Sequence, residues 1–256
     1  MRDTVLDRAS LDGGETLLDA GCGEGLIGFG ALERRAGHVV FADISQDLLD
    51  LCRDAAEGLG VADRCSFVRL PVEALEGVTE ASVDVACTRS VLIYVKDKER
   101  AFGELFRVLR PGGRISVFEP INRFGAQKRT EGFWGFPGDG VADLAARVEA
   151  VFARIQPPDD PMLDFDERDL LGLAEAAGFF PVELDLHAEI GPMHPTPWEP
   201  FANSSGNPKI PTIREAIEEA LTPEERERFV EYLRPLVEEG QGVSRTAVAY
   251  LRAVKP

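Results

Sequence analysis

LLDAGCGEGLIGFG, residues 17–30, joins a short apolar run to a segment of helix-forming residues. The apolar run ends at Ala20, helix-forming residues begin near Leu26, and glycines dominate the turn between them. A glycine-rich turn from a strand into a helix lets the backbone approach a ligand closely. The stretch therefore predicts a ligand-binding turn, and the rest of the chain has to identify the ligand.

Two ligand patterns overlap in this turn. Gly23, Gly25 and Gly28 satisfy the dinucleotide pattern G-x-G-x-x-G, but that interpretation leaves Gly21 at a poor strand end. Asp19 lies two residues before the first glycine of the turn, where its charge would repel a pyrophosphate and attract an ammonium group. S-adenosylmethionine carries an ammonium and a sulfonium group and no phosphate. Asp19 therefore favours S-adenosylmethionine over a nicotinamide dinucleotide.

Apolar runs alternate with helical patterns along the first 120 residues. The pattern predicts strands over 16–21, 38–44, 65–70, 82–90 and 114–120, and helices over 25–36, 46–59 and from Asp97 to about Leu109. Such alternation predicts an α/β fold with a doubly wound, parallel sheet. Asp43 ends the second strand, where a carboxylate offers two acceptors to the vicinal hydroxyls of a ribose.

The later part of the chain is less regular and predicts caps around the sheet domain. The pattern predicts helices over 139–155 and from Asp166 to about Gly178, a half-exposed strand over 181–190 and a final strand over 244–254. The predicted division is a cofactor-binding half (1–120), a cap insertion (121–165), the remainder of the sheet domain (166–190 and 244–256) and a second cap insertion (191–243).

Composition limits the partners and the compartment. A net charge of −17 argues against nucleic acid and against an anionic membrane surface. The four scattered cysteines and the lack of an apolar leader or span predict a cytoplasmic protein with reduced thiols. The three histidines show no metal-ligand spacing, so no metal is expected. The oligomeric state stays open, with a homodimer among the alternatives.

Five motifs in order, between about Gly14 and Glu119, carry a resemblance to a known family. They are LLDAGCGEG, the acid of FADIS, EAL at 73–75, VDVACTRSVLIYV and AFGELFRVLRPGGRISVFEP. The sequence resembles the class I S-adenosylmethionine-dependent methyltransferases, in particular the small-molecule "methyltransferase type 11" group. The resemblance implies a mostly parallel, seven-stranded Rossmann-like sheet and methyl transfer to an O, N or C nucleophile.

The resemblance also implies a set of cofactor-binding residues. The methionine part would lie against Asp19, Gly21, Cys22 and Gly23, the ribose against Asp43, the adenine against Ile44 and Val72 or Glu73, and the sulfonium above Thr88, Arg89 and Ser90. Relatives often carry an acid before the adenine-contacting apolar residue, and Pro71 takes its place here. Relatives also have a longer segment before the first strand, whereas residues 1–15 precede it here.

Fewer residues indicate how the methyl acceptor is bound and activated. Glu119 and His194 are the candidates for a general base, and Tyr94 is expected to line the site where relatives often carry a histidine. Aromatic residues of the two insertions predict either core packing or an apolar lid over a small apolar or aromatic metabolite: Phe133, Trp134, Phe136, Trp198 and Phe201. Two alternatives stay open, a nicotinamide-dependent oxidoreductase and a ligand-binding module without turnover.

Overall fold

The computed structural model describes residues 1–126, 132–206 and 209–256, and it divides into two compact units. The first unit comprises residues 1–120, 165–187 and 248–256, and the second comprises residues 121–164 and 188–247. The cap insertions expected from the sequence are residues 121–165 and 191–243. Both units therefore gather segments that are far apart along the chain.

Helices and strands alternate through the first 120 residues. In chain order they are α1 (Arg2–Ala9), β1 (Thr16–Ala20), α2 (Leu26–Glu33), β2 (His38–Asp43), α3 (Gln46–Gly58), β3 (Cys65–Arg69), β4 (Val83–Arg89), α4 (Lys98–Val108) and β5 (Leu109–Pro120). The later elements are α5 (Asn122–Ala126), α6 (Ala142–Ile155), α7 (Glu167–Ala176), β6 (Val182–Pro192), α8 (Trp198–Ala202), α9 (Ile213–Ala220), α10 (Pro223–Glu239) and β7 (Val243–Val254). Short 3-10 turns cover Ala62–Arg64 and Leu92–Tyr94.

Within the described residues, seven strands form one sheet in the order β3-β2-β1-β4-β5-β7-β6. The pairs among β1 to β5 are parallel, and β7 pairs antiparallel with β5. The prediction of a mostly parallel, doubly wound sheet is confirmed. The strand order reverses direction between β1 and β4, and ligands bind such sheets in the crevice beyond the carboxyl ends of these strands.

Several predicted boundaries differ from the structure. Strand β5 begins at Leu109 rather than at Arg114, because Pro111-Gly112-Gly113 forms an irregularity within the strand instead of a stop. The backbone there stays paired, with Gly112 N–H donating to Lys255 and Lys255 N–H donating to Gly113. Helix α1 was not predicted, and its residues Val5, Leu6 and Ala9 are buried.

Helix α2 approaches the sheet closely at Gly28. A Cβ at this position would lie 2.2 Å from Cε1 of Phe41, a fully buried ring on β2. Gly28 N–H also donates to the Asp19 carboxylate at 2.8 Å, which ties the start of α2 to the end of β1. The glycine therefore sets the distance between α2 and the strands that carry the turn.

The structure predicts opposite effects for two helical glycines. Gly28→Ala is expected to lower the free energy of unfolding by roughly 1–3 kcal/mol, because the new methyl group overpacks against Phe41. Gly103 lies on the exposed face of α4, with open space around it. Gly103→Ala is therefore expected to raise the free energy of unfolding by up to about 1 kcal/mol. Urea unfolding of the two variants measures both effects, and a neutral Gly28→Ala would contradict the close approach.

The second unit has its own apolar core. Its helices α6, α9 and α10 bury one face each, and buried aromatic residues fill the space between them. Within the described residues, no helix combines the length and the apolar character needed to cross a membrane.

Candidate functional site

The turn between β1 and α2 is built on glycines in the left-handed region. Gly21, Gly23 and Gly25 have φ values of +73°, +53° and +80°. At Gly21 a Cβ would also lie 2.3 Å from Cγ2 of Val91, so only glycine fits. The N–H groups of Gly21 and Cys22 donate to the Ala42 carbonyl at 2.8 and 3.0 Å. The turn is therefore fixed against the carboxyl end of β2.

Asp19 is a buried acid at the carboxyl end of β1. Its side chain is 1% exposed, and its Oδ2 accepts the Gly28 N–H. Burial raises the pKa of this carboxyl from 3.8 to about 7, although the hydrogen bond from Gly28 and the charge of Arg89 oppose the rise. A cationic ligand group beside Asp19 would favour the charged carboxylate.

Asp43 connects β2 to the glycine turn. Its Oδ2 accepts the Gly23 N–H and its Oδ1 accepts the Ser45 N–H, both at 2.9 Å. Each carboxylate oxygen has a second lone pair, so both oxygens can also accept a ligand hydroxyl. The next residue, Ile44, is 66% exposed, as expected for an apolar side chain available to a ring.

The remaining predicted cofactor residues follow β3 and β4. Val72 and Thr88 are buried, and Glu73, Arg89 and Ser90 are half-buried. Within the described residues, the Thr88 hydroxyl oxygen has no hydrogen-bond partner although it is buried. Ser90 adopts a φ of +56°, which is uncommon for a residue other than glycine. A buried hydroxyl without a partner next to a strained residue is typical of a ligand-binding edge.

Cys52 is a site neighbour that sequence reasoning missed. The thiols of Cys22 and Cys52 both donate to the Gly23 carbonyl, at 3.6 and 3.3 Å. The two thiols also interact with each other, which raises the pKa of Cys22 and lowers that of Cys52. The one available signal was the spacing of Leu49, Cys52 and Ala56 on the buried face of α3.

Glu119, a predicted base, is held by backbone. Its carboxylate is fully buried and accepts the N–H groups of Val91, Leu92 and Ile93 at 3.0, 3.0 and 3.2 Å. Burial raises its pKa from 4.5 to about 7. Since Val91 packs against Gly21, this geometry favours a positioning role for Glu119 over proton transfer.

Other acceptor-side predictions fall in different places. Tyr94, at the end of the 3-10 turn, is 53% exposed. Phe133 and Trp198 lie in the apolar core of the second unit. Trp134 and Phe136 line a cavity of about 470 Å³ in that unit. Phe136, Phe201 and His194 line a second cavity of about 350 Å³ in the same unit, and His194 itself is exposed.

The two buried carboxyls predict that stability falls as the pH rises. Asp19 and Glu119 are protonated in the folded protein up to about pH 7, whereas in the unfolded chain they ionise near their ordinary values of 3.8 and 4.5. The unfolded state therefore binds fewer protons between about pH 4 and 7, and the free energy of unfolding decreases across that window.

Urea unfolding between pH 4.5 and 8 of Asp19→Asn and Glu119→Gln measures this effect. Each variant keeps an acceptor oxygen and is expected to flatten the decrease. Asp47→Asn, at an exposed position of α3, is the control and is expected to leave the decrease unchanged. An equally steep decrease in all variants would contradict the assignment.

Residues 18–117 match a family model described as a methyltransferase domain. The chain is 32% identical over 128 residues to the ubiquinone/menaquinone biosynthesis C-methyltransferase of Cronobacter sakazakii, covering 46% of this chain and 51% of that protein. It is 36% identical over 102 residues to the tRNA 5-carboxymethoxyuridine methyltransferase of Escherichia coli K12, covering 40% of this chain and 38% of that protein. The matched region thus spans about half or less of these relatives.

Solved structures share the fold at low sequence identity. A structure from Bacillus halodurans C-125 that is described as a methyltransferase superposes with a TM-score of 0.61 at 18% identity, covering 100% of this chain and 98% of that chain. The (4+2)-cyclase SpnF superposes with a TM-score of 0.57 at 22% sequence identity, covering 100% of this chain and 80% of the cyclase chain. A geranyl diphosphate methyltransferase in complex with S-adenosylmethionine superposes with a TM-score of 0.57 at 19% sequence identity, covering 100% of this chain and 84% of that chain.

Proposed function

We propose that residues 18–117 make this chain a class I S-adenosylmethionine-dependent methyltransferase. The proposed reaction transfers a methyl group to an O, N or C nucleophile of a small apolar or aromatic molecule. S-adenosylmethionine is the cofactor of this domain. One observation carries the proposal: the turn and the helix start after it donate N–H groups to two acids, Gly28 to Asp19 and Gly23 to Asp43.

The residues present fit the cofactor. Asp43 and the exposed Ile44 supply acceptors for a ribose and an apolar surface for a ring. Asp19 can ionise beside an ammonium group, because a cation lowers the pKa that burial raises. Within the described residues, the buried Thr88 hydroxyl oxygen has no hydrogen-bond partner, which a ligand could provide. When bound, the cofactor supplies an activated methyl group on a sulfonium.

The protein contributes binding, orientation and exclusion of water. Holding a nucleophile in line with a methyl group and removing solvent account for most of the rate in such a transfer. Glu119 contributes by holding residues 91–93, and Val91 in turn packs on the glycine turn. His194 and Tyr94 are both exposed, so each side chain stays available as a candidate contact for the methyl acceptor.

The nature of the acceptor is supported by charge and by aromatic residues. A net charge of −17 disfavours a polyanionic acceptor, and the similarity to the tRNA methyltransferase covers 40% of this chain. Asp19 also disfavours a pyrophosphate in the turn, which argues against the nicotinamide alternative. Because the fold is shared with a cyclase, methyl transfer has to be measured directly.

Two experiments test the proposal. Calorimetric titration with S-adenosylmethionine, S-adenosylhomocysteine, NAD and NADP is expected to give micromolar binding of the first two alone. Release of S-adenosylhomocysteine is then measured with a panel of phenols, aromatic amines and apolar acids, with bulk tRNA as a further arm, and mass spectrometry identifies the methylated product. Binding of NAD, or methylation of tRNA alone, would overturn the proposal.

A further inference from the structure

The turn at residues 133–136 of the second unit places an aromatic side chain in an unfavourable backbone conformation. Trp134 and Gly135 have φ values of +53° and +90°, and the N–H groups of Phe133 and Phe136 each donate to the other residue's carbonyl at 2.9 Å. Turns with two central residues at positive φ favour Asn-Gly, and tryptophan is a costly choice for the first position. Strain of this kind clusters at ligand-binding sites.

Backbone contacts fix this turn against β7. The Val243 N–H donates to the Gly135 carbonyl at 2.9 Å, and a Cβ at Gly135 would lie 2.3 Å from the Val243 carbonyl oxygen. A Cβ at Gly242 would lie 2.8 Å from the Phe136 ring and 2.9 Å from the Met193 sulfur. The aromatic rings are therefore held in place by close approaches that only glycine permits.

The turn and the first residues of β7 line the cavity of about 470 Å³, which is the size of a small-molecule site. Its apolar walls come from Trp134, Phe136, Met193 and Val243. Ser244, Gln241 and Arg245 add polar groups on the β7 side. An apolar cavity with a few polar groups at one side suits a ring that carries a polar substituent.

Arg245 is the charged group that defines this substituent. Its side chain is half-buried and, within the described residues, it makes neither a hydrogen bond nor an ion pair. By contrast, Arg147 and Arg214 of the same unit form ion pairs with Glu225 and Glu199. Asp139 also lines the cavity, but it is exposed and lies beyond ion-pair distance of Arg245, so solvent screens its charge. A half-buried guanidinium without a counterion fits a ligand carboxylate, sulfonate or phosphate.

We propose that this cavity binds an aromatic small molecule with an anionic group, its ring against Trp134 and Phe136 and its anion on Arg245. The identification of that molecule as the methyl acceptor rests on the proposed function, whereas the binding itself does not. The test therefore measures binding without any methyl donor.

Two fluorescent probes that differ in one charge test the inference. 1-Anilinonaphthalene-8-sulfonate is anionic, and N-phenyl-1-naphthylamine is its uncharged counterpart. Arg245→Gln is expected to weaken binding of the sulfonate about ten-fold, as for the loss of one charge-assisted hydrogen bond, and to change binding of the neutral probe less than about two-fold. Trp134→Gly is expected to weaken both probes, and glycine keeps the turn because it adopts positive φ freely.

Arg234→Gln is the matched control, since Arg234 is exposed, pairs with Glu238 and does not line the cavity. It is expected to leave both affinities unchanged, and melting temperatures verify that each variant is folded. Equal losses for both probes in Arg245→Gln, or no loss for either, would overturn the anionic class. Unchanged binding of both probes in Trp134→Gly would overturn the site. Failure to bind S-adenosylmethionine would overturn the proposed function alone.

Discussion

Replacing Asp43 with alanine is expected to weaken binding of S-adenosylmethionine by about ten-fold or more, because two acceptors for the ribose hydroxyls are lost. The structure adds a second cause. Asp43 also accepts the N–H groups of Gly23 and Ser45, so the variant releases the glycine turn from the end of β2. Calorimetric titration with S-adenosylmethionine and S-adenosylhomocysteine measures both affinities.

Asp47→Ala is the matched control for this experiment. Asp47 has the same charge, lies four residues further on in the first turn of α3, and is exposed. It is expected to leave the affinity within about two-fold of the original value, since exposed charges are screened. An unchanged affinity in Asp43→Ala, with a normal melting temperature, would contradict the assignment of the ribose to Asp43.

Glu119→Ala is expected to have the largest effect on stability. The substitution leaves the N–H groups of the buried Leu92 and Ile93 and of the half-buried Val91 without their acceptor. Buried donors without partners cost about 1–3 kcal/mol each, so the free energy of unfolding is expected to fall by roughly 3 kcal/mol or more. The affinity for S-adenosylmethionine is expected to fall as well, because Val91 packs on Gly21.

Glu119→Gln separates a positioning residue from a base. Glutamine keeps an oxygen for Val91 and Leu92, which share one oxygen of Glu119, and loses the acceptor for Ile93. Intermediate losses of stability and of cofactor affinity are therefore expected. A general base would give another outcome, in which both variants lose turnover equally while the unfolding free energy and the cofactor affinity of Glu119→Gln stay unchanged.

The sheet was predictable where local patterns agree with tertiary structure. Strands β1 to β4 are short apolar runs bounded by turn residues, and Asp97 and Asp166 both cap the helices predicted to follow them. The start of β5 was not predictable, because Pro111-Gly112-Gly113 normally ends a regular element. Pairing with Lys255, more than half the chain away, keeps these residues in the sheet.

In the candidate site, residue positions were predictable where a motif fixes both the residue and its neighbours. The glycine turn follows β1, and Asp43 is the last residue of β2, as the sequence predicts. The hydrogen bonds of Glu119 to residues 91–93 join distant segments, so no local spacing reveals them. For Cys52, helical spacing indicates a buried position but not its contact with Gly23. Arg245 belongs to no motif, and its lack of a counterion in the described residues is visible only in three dimensions.

The discontinuous first unit also affects how a newly made chain folds on the ribosome. Strand β5 pairs with β4 on one side and with β7 on the other, from Arg114 opposite Val254 to Pro120 opposite Val248. The second edge of β5 therefore stays open during synthesis until residues 248–254 have been added, after the whole of the second unit. At about 5–20 residues per second this delay lasts several seconds or more. A nascent or truncated chain that lacks β7 would present an apolar strand edge to chaperones, proteases and other copies of itself.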